Sequence, residues 1–168
     1  KFVEKSIKNG IDIIRIFDAL NDIRNLQCAV KATKKYGGEC QIALSYTTSP
    51  IHTVEYYVNL AKEIEKMGAD SICIKDMAGV LLPEDAYQLI KQLKANTKLP
   101  IELHSHCTGG LIEMTYLKAI EAGVDIIDTA ISPLAGGTSQ PCTESFNYAL
   151  KGTKYDPQLN EEMLNVAA

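Results

Sequence analysis

Three short segments of this chain share one pattern: Gly10-Ile11-Asp12-Ile13-Ile14, Gly68-Ala69-Asp70-Ser71-Ile72 and Gly123-Val124-Asp125-Ile126-Ile127. Their glycines lie 58 and 55 positions apart. Halfway between them run two more β-rich stretches, Cys40 to Tyr46 and Leu99 to His104. A strand therefore starts about every 28 residues, each opening after Gly or Pro. Between the strands the apolar period changes to that of a helix. Val54, Tyr57, Val58, Ala61 and Ile64 mark one face, with Lys62, Glu63, Glu65 and Lys66 mostly elsewhere. Pro83, followed by Glu84 and Asp85, opens a second helix that carries Ala86, Leu89, Ile90 and Leu93. Leu111 to Ala122 and Asn25 to Tyr36 read as two more, and Lys1 to Asn9 as the end of another.

Strands alternating with helices imply parallel pairing and right-handed crossovers. The predicted strands are Asp12–Phe17, Gln41–Tyr46, Ser71–Lys75, Ile101–His106 and Asp125–Ile131. Five strands suffice for a doubly wound sheet, but no Gly-rich phosphate fingerprint follows the first one. The regular repeat points instead to a (β/α)8 barrel, which needs eight strands and typically about 250 residues. This chain of 168 residues is then expected to supply about five of the eight β/α units, the first three being absent. Residues 1–152 are expected to form the partial barrel, and 153–168 a surface tail with a short helix.

Composition narrows the function. With 17 Lys and Arg against 21 Asp and Glu, the net charge of −4 disfavours nucleic acid or anionic membrane as the main partner. No apolar run reaches the roughly 18 residues of a transmembrane helix, and the first five residues contain no signal-peptide core. Five cysteines without paired spacing read as reduced thiols of a cytoplasmic protein, with Cys28, Cys40 and Cys73 expected in the core.

In a parallel barrel the reactive groups sit at the C-terminal strand ends. Polar residues accumulate at each such end here, whereas strand interiors are mostly Ile, Val, Leu and Ala. His104 and His106, two positions apart on a strand, point to one side, and two imidazoles together can bind a divalent metal. Packing or hydrogen-bonding histidines are the other reading of the same pair. His52 reads as a cap or a solvated residue. Lys75 ends the run Ile72-Cys73-Ile74 and precedes Asp76. A lysine in such a place can act as a neutral amine, forming a Schiff base or taking up carbon dioxide as a carbamate. A surface pair with Asp76, or a stem lying along the sheet, competes with that reading. Gly136-Gly137-Thr138-Ser139 is a turn before a helix that opens near Pro141. Its exposed amides can hold an anion and its hydroxyls can relay a proton, or it is a plain loop with a cap.

Taken in order, Arg15-Ile16-Phe17-Asp18-Ala19-Leu20-Asn21, Ser45-Tyr46-Thr47, Ile74-Lys75-Asp76-Met77-Ala78-Gly79, His104-Ser105-His106 and Gly137-Thr138-Ser139-Gln140-Pro141 resemble the carboxyltransferase domain of biotin-dependent enzymes. That family includes the oxaloacetate decarboxylase α subunit, the pyruvate-side transcarboxylase subunit and pyruvate carboxylase. The resemblance spans nearly the whole chain, with Ser45 to Pro50 leaning toward the decarboxylase and transcarboxylase side. It implies carboxyl transfer between oxaloacetate or pyruvate and biotin. It also implies a divalent metal (zinc, manganese or cobalt) held by His104, His106 and carbamylated Lys75, and Thr138 as the proton-transferring residue. Asp18, Asn21 and Ser45 are candidates for the substrate pocket wall. The family's fourth ligand, an aspartate in an Arg-Asp-Ala-His-Gln segment, has no counterpart in this sequence, and neither does the Met-Lys-Met biotin attachment site.

The implied partners are oxaloacetate or pyruvate, a separate biotinyl carrier domain, and further subunits in a homo-oligomer or larger complex. Two other readings stand beside this one. A related barrel lyase or synthase, of the isopropylmalate synthase or hydroxymethylglutaryl-lyase group, shares the His-x-His but generally not the Lys-Asp-Met-Ala-Gly block. A catalytically silent barrel segment is the third, and without the fourth ligand the chain by itself is expected to turn over little oxaloacetate.

Overall fold

The computed structural model describes all 168 residues. The chain runs α1 (Phe2–Lys8), β1 (Ile13–Asp18), α2 (Gln27–Lys35), β2 (Glu39–Ser45), α3 (Val54–Met67), β3 (Ser71–Asp76), α4 (Pro83–Asn96), β4 (Ile101–Ser105), α5 (Ile112–Ala122), β5 (Ile126–Ile127), α6 (Thr143–Leu150) and α7 (Glu161–Ala167). All strand pairs are parallel and their spatial order is the chain order, β1 to β5. A doubly wound sheet reverses direction at a switch point; this one never does.

The sheet is also curved. Strands spaced about 4.8 Å apart would put β1 and β4 of a flat sheet roughly 14 Å apart. Yet the Arg15 guanidinium on β1 bonds the Glu102 carboxylate on β4 and Asp128 just beyond β5. Only a sheet curled toward these side chains lets them meet. The molecule is thus an arc of a (β/α)8 barrel, with Arg15, Gln41 and Glu102 on its concave face and the helices on its convex face. Register places Ser45, Lys75 and His104 on the same concave face, nearer the C-terminal strand ends.

The convex face carries the apolar core. Ile42, Leu44, Ile72, Ile74, Ile101 and Leu103 are buried against Ala61, Ile64, Leu89, Ile90, Leu93 and Ala119 of the helices. At about 25 cal/mol per Å² of apolar area, each such side chain contributes roughly 1.5–3 kcal/mol toward holding strand to helix.

The Gly-x-Asp repeat has a physical cause. Gly68 and Gly123 end α3 and α5 in the left-handed conformation, φ 94° and 97°, which a side chain would strain. Two residues on, Asp70 accepts the Cys40 N–H at 2.7 Å and pairs with Lys34. Asp125 repeats this with the Ile101 N–H at 2.8 Å and Lys94. Each aspartate therefore fastens the start of the preceding strand to the helix that leads into it.

Two sequence expectations need correction. The last strand was expected over Asp125–Ile131 but pairs with β4 only at Ile126–Ile127. After the Asp128 N–H reaches the Leu103 carbonyl, the backbone leaves β4. Ala130 then exchanges hydrogen bonds with Pro141 and Thr143 instead, each at 2.9 Å. This detour also delays α6 until Thr143. Cys28, expected in the core, is exposed on α2, whereas Cys40 and Cys73 are fully buried. Cys28 falls on the polar side of an amphipathic helix whose buried contacts come from Val30 and Thr33.

Candidate active site

Lys75, His104 and His106 meet at the C-terminal end of β3 and β4. The two imidazole Nε2 atoms lie 3.1 Å apart, and the Lys75 Nζ is 3.5 Å from the His104 Nε2. Asp76, next in sequence, points the opposite way. It is fully buried and accepts hydrogen bonds from the Val80 N–H, the Leu81 N–H and the Ser105 hydroxyl at 3.1, 2.9 and 2.9 Å. The reading of Lys75–Asp76 as a surface ion pair is thereby overturned: strand alternation sends one side chain to each face. Lys75 has no carboxylate partner within ion-pair distance, and its Nζ lies 5.3 Å from the centre of the Phe17 ring.

Both imidazoles are held from behind. The His104 Nδ1 is 2.7 Å from the Asp128 Oδ2, and the His106 Nδ1 is 2.6 Å from the Thr138 carbonyl oxygen. Carboxylate and carbonyl oxygens only accept, so in each ring the Nδ1 carries the hydrogen. In the neutral form each Nε2 then presents a lone pair, and the two lone pairs face one another. Such a pair is repulsive unless a proton or cation lies between. Ions bound at about 2.0–2.1 Å set neighbouring nitrogens roughly 2.9–3.4 Å apart, and the observed separation falls in that range. No third His, Cys, Asp or Glu joins the two imidazoles. The remaining group in reach is the Lys75 amine, which as a carbamate would offer carboxylate-type oxygens. The donor set present therefore fits a divalent ion.

The loop bearing Thr138 is seated on the same strand end. Besides the His106 bond, the Cys107 N–H donates to the Ser139 carbonyl at 2.9 Å, and the Gln140 Nε2 stands 3.5 Å from the His104 Nε2. Thr138 itself is exposed at the rim. The Lys-Asp-Met-Ala-Gly turn abuts the next loop at Gly79. There φ is +67°, and a Cβ would come within 2.5 Å of the His106 carbonyl oxygen.

Asp18, Asn21 and Ser45 separate in role. Asp18 binds its own turn, accepting from the Leu20 and Asp22 N–H groups and the Asn25 amide. The Asp22 N–H, the Asn25 amide and the Leu20 N–H hold its carboxyl below the usual carboxylate range. Asn21 is buried and clasps Ser45 through both backbone groups, at 2.9 and 2.8 Å. Ser45 alone of the three faces the concave side, level with Lys75, and its hydroxyl donates to the Asp18 carbonyl at 3.2 Å. His52 stands apart, 2.7 Å from the Ser49 hydroxyl and edge-on to Tyr56.

Sequence reasoning did not single out Arg15, Gln41, Glu102, Asp128 and Gln140. The first four form a polar layer directly beneath the site, in which the Gln41 amide also donates to Glu102 at 2.8 Å. Burial pushes the Glu102 carboxyl up, and neighbouring Asp128 adds to that. For Asp128 burial acts upward too, but hydrogen bonds with His104, Glu102 and Arg15 outweigh it and hold its carboxyl far below normal. The available signal was a polar residue in the middle of an apolar strand, as in Ile13-Ile14-Arg15-Ile16.

A parallel β/α barrel arc with two converging imidazoles and an unpaired lysine at its C-terminal strand ends has the layout of the reactive end of a barrel enzyme. The chain belongs to the HMGL-like family, whose pattern matches residues 10–168. It is 62% identical over 165 residues to a pyruvate carboxylase subunit of Methanocaldococcus jannaschii, covering 98% of this chain and 29% of that protein. It is 48% identical over 167 residues to the methylmalonyl-CoA carboxyltransferase 5S subunit of Propionibacterium freudenreichii subsp. shermanii, covering 98% of this chain and 33% of that one. Among solved structures, the carboxyl transferase domain of Rhizobium etli pyruvate carboxylase with pyruvate and biocytin superposes with a TM-score of 0.96 at 42% identity. That match covers 99% of this chain and 29% of the other. The chain thus spans about a third or less of the length of these relatives. Identity to the transcarboxylase subunit, 48%, lies within the 38–62% range of the pyruvate carboxylases, so overall similarity does not decide the lean of the Ser45–Pro50 segment.

Proposed function

We propose that this chain carries part of the active site of a biotin-dependent carboxyltransferase acting between oxaloacetate or pyruvate and biotin on a separate carrier domain. The observation that carries the reading is the Lys75 amine, which has no carboxylate partner and stands 3.5 Å from one of two converging imidazoles. A lysine placed only for packing would find a counter-ion or reach solvent; this one faces the ligand pair. The same feature favours carboxyl transfer over a related lyase or synthase, whose chemistry has no use for a carbamate.

A divalent ion bound there supplies Lewis acidity toward the 2-keto oxygen and toward the negative charge of the pyruvate enolate. His104 and His106 present their Nε2 atoms to it. Lys75, by losing a proton and adding carbon dioxide at Nζ, would supply carboxylate-type oxygens as a third ligand beside the two imidazoles. The Phe17 ring stands beside that amine, 5.3 Å from its nitrogen. In the decarboxylating direction the C3–C4 bond of oxaloacetate breaks and its electron pair stays on the pyruvate fragment. The carboxyl group passes to the biotin nitrogen, and the Thr138 hydroxyl moves the proton of that nitrogen to the pyruvate methyl carbon. The reverse sequence carboxylates pyruvate. Ser45, level with Lys75, borders the substrate.

The test is carboxyl exchange between labelled oxaloacetate and free biotin by the full-length protein, with mass analysis of the Lys75 peptide. Lys75→Ala is expected to abolish exchange and the carbon dioxide adduct together, and Thr138→Ala to abolish exchange while leaving the adduct. Full exchange by the Lys75 variant would refute the proposal.

A further inference from the structure

The polar layer beneath the site assigns a task to one residue outside the ligand set. The Asp128 Oδ2 accepts from two donors at once, the His104 Nδ1 at 2.7 Å and the Arg15 Nη1 at 2.9 Å. Arg15 and Asp128 come from opposite ends of the sheet, β1 and just past β5. The curl of the sheet brings them together, and the Glu102 carboxylate fixes a second edge of the same guanidinium. Asp128 therefore cannot swing away from His104 without breaking its bond to Arg15. Its backbone is fixed as well, through the N–H bonded to the Leu103 carbonyl at 3.0 Å.

We propose that Asp128, braced by Arg15, is the positioning residue that fixes His104 with its hydrogen on Nδ1 and aims the Nε2 lone pair at the cation site. An imidazole in which either nitrogen can carry the hydrogen is a poorer ligand, because metal binding must first expel it from Nε2. Removing such outer partners typically weakens metal binding about 10–100-fold. His106 needs no such residue, because the Thr138 backbone carbonyl serves it. Asp128 is thus the point in this half of the ligand set where a side-chain change alone can release a ring.

The inference rests on the cation reading of the site, and the experiment separates the two. In the full-length protein, zinc(II) alone is titrated against a chelating dye for wild type, Asp128→Ala and Asp128→Asn. The His104 ring nitrogens are followed by 15N NMR in the metal-stripped forms. Asp128→Ala is expected to bind zinc about 10–100-fold more weakly and to lose the Nδ1–H form of His104. Asp128→Asn has the same shape and keeps an acceptor oxygen. It is expected to retain the Nδ1–H form and most of the affinity, which also covers the case in which the alanine variant does not fold. Unchanged zinc affinity and ring tautomer in Asp128→Ala overturns the proposal. So does an asparagine variant as weak as the alanine one, since Asp128 would then serve only to neutralise Arg15. If wild type binds no zinc, the cation reading fails for that ion, while the ring tautomers still decide whether Asp128 positions His104.

Discussion

Lys75 and Asp76 are neighbours with opposite assignments, one to chemistry and one to architecture, and substituting each in turn separates the two. The Asp76 carboxylate is fully buried and receives two backbone N–H groups and the Ser105 hydroxyl. Hydrogen bonds to a charged group contribute about 1.5–3 kcal/mol each, and stranded buried donors cost about 1–3 kcal/mol. These values overlap rather than add, and water entering the vacated space recovers part of the loss. The expected destabilisation for Asp76→Ala is therefore about 3–5 kcal/mol, in the upper range for single substitutions. Asp76→Asn keeps one acceptor oxygen and should lose about half of that. Lys75→Ala removes a half-buried stem beside Phe17 and should cost about 1 kcal/mol or less. Urea unfolding of the full-length protein reads all three, the midpoint reporting stability while the slope stays constant. If Asp76→Ala lay within about 1 kcal/mol of wild type, or Lys75→Ala were the more damaging change to stability, the division of labour would be wrong.

Gly79→Ala forces a Cβ to 2.5 Å from the His106 carbonyl oxygen at φ +67°. It should cost at least roughly 1–3 kcal/mol and disturb the His106 end of the ligand pair, seen as a lowered thermal midpoint together with weaker metal retention. Burial pushes the Cys40 thiol up to about 11 and the Cys73 thiol up to about 12. A thiol reagent at neutral pH should therefore label exposed Cys28 in the native protein, and Cys40 and Cys73 only after denaturant; native labelling of Cys73 would contradict its placement. For Asp70, burial alone would raise the carboxyl, but the Cys40 N–H and Lys34 outweigh it and lower it from 3.8. Its stabilising effect is then complete above about pH 4 and disappears as pH falls through the lowered folded value. Asp70→Asn should flatten the acid limb of the stability curve relative to wild type, and an unchanged limb would count against the strand-fastening role of the repeat.

Much of the fold was legible because it repeats. The Gly-x-Asp-x-Ile segments mark strand starts, since each glycine has a left-handed backbone after a helix and Asp70 and Asp125 fasten neighbouring strands. The helix faces followed from apolar spacing, and four of the five strands fell within two residues of expectation at either end. The fifth did not, because its continuation at Ala130 bonds to Pro141 and Thr143 across an intervening loop instead of to β4. The His104–His106 pair could be read locally because strand alternation puts both on one side, whereas Lys75 joins them through the β3–β4 register. Asp128 could not, because its importance depends on Arg15 crossing from β1, and that approach exists only once the sheet is curled. Asp18 and Asn21 read as pocket residues by position; the Asp18 side chain binds its own turn and Asn21 ties the end of β1 to Ser45 on β2.

Whether the two imidazoles hold a cation is read from the divalent metal content of the full-length protein, wild type against His104→Ala, purified identically and compared at equal folded fraction. Stoichiometric zinc, manganese or cobalt is expected in wild type and almost none in the variant. Equal metal in both would mean that the two imidazoles do not hold the ion, and the carboxyl-transfer site would have to be sought elsewhere.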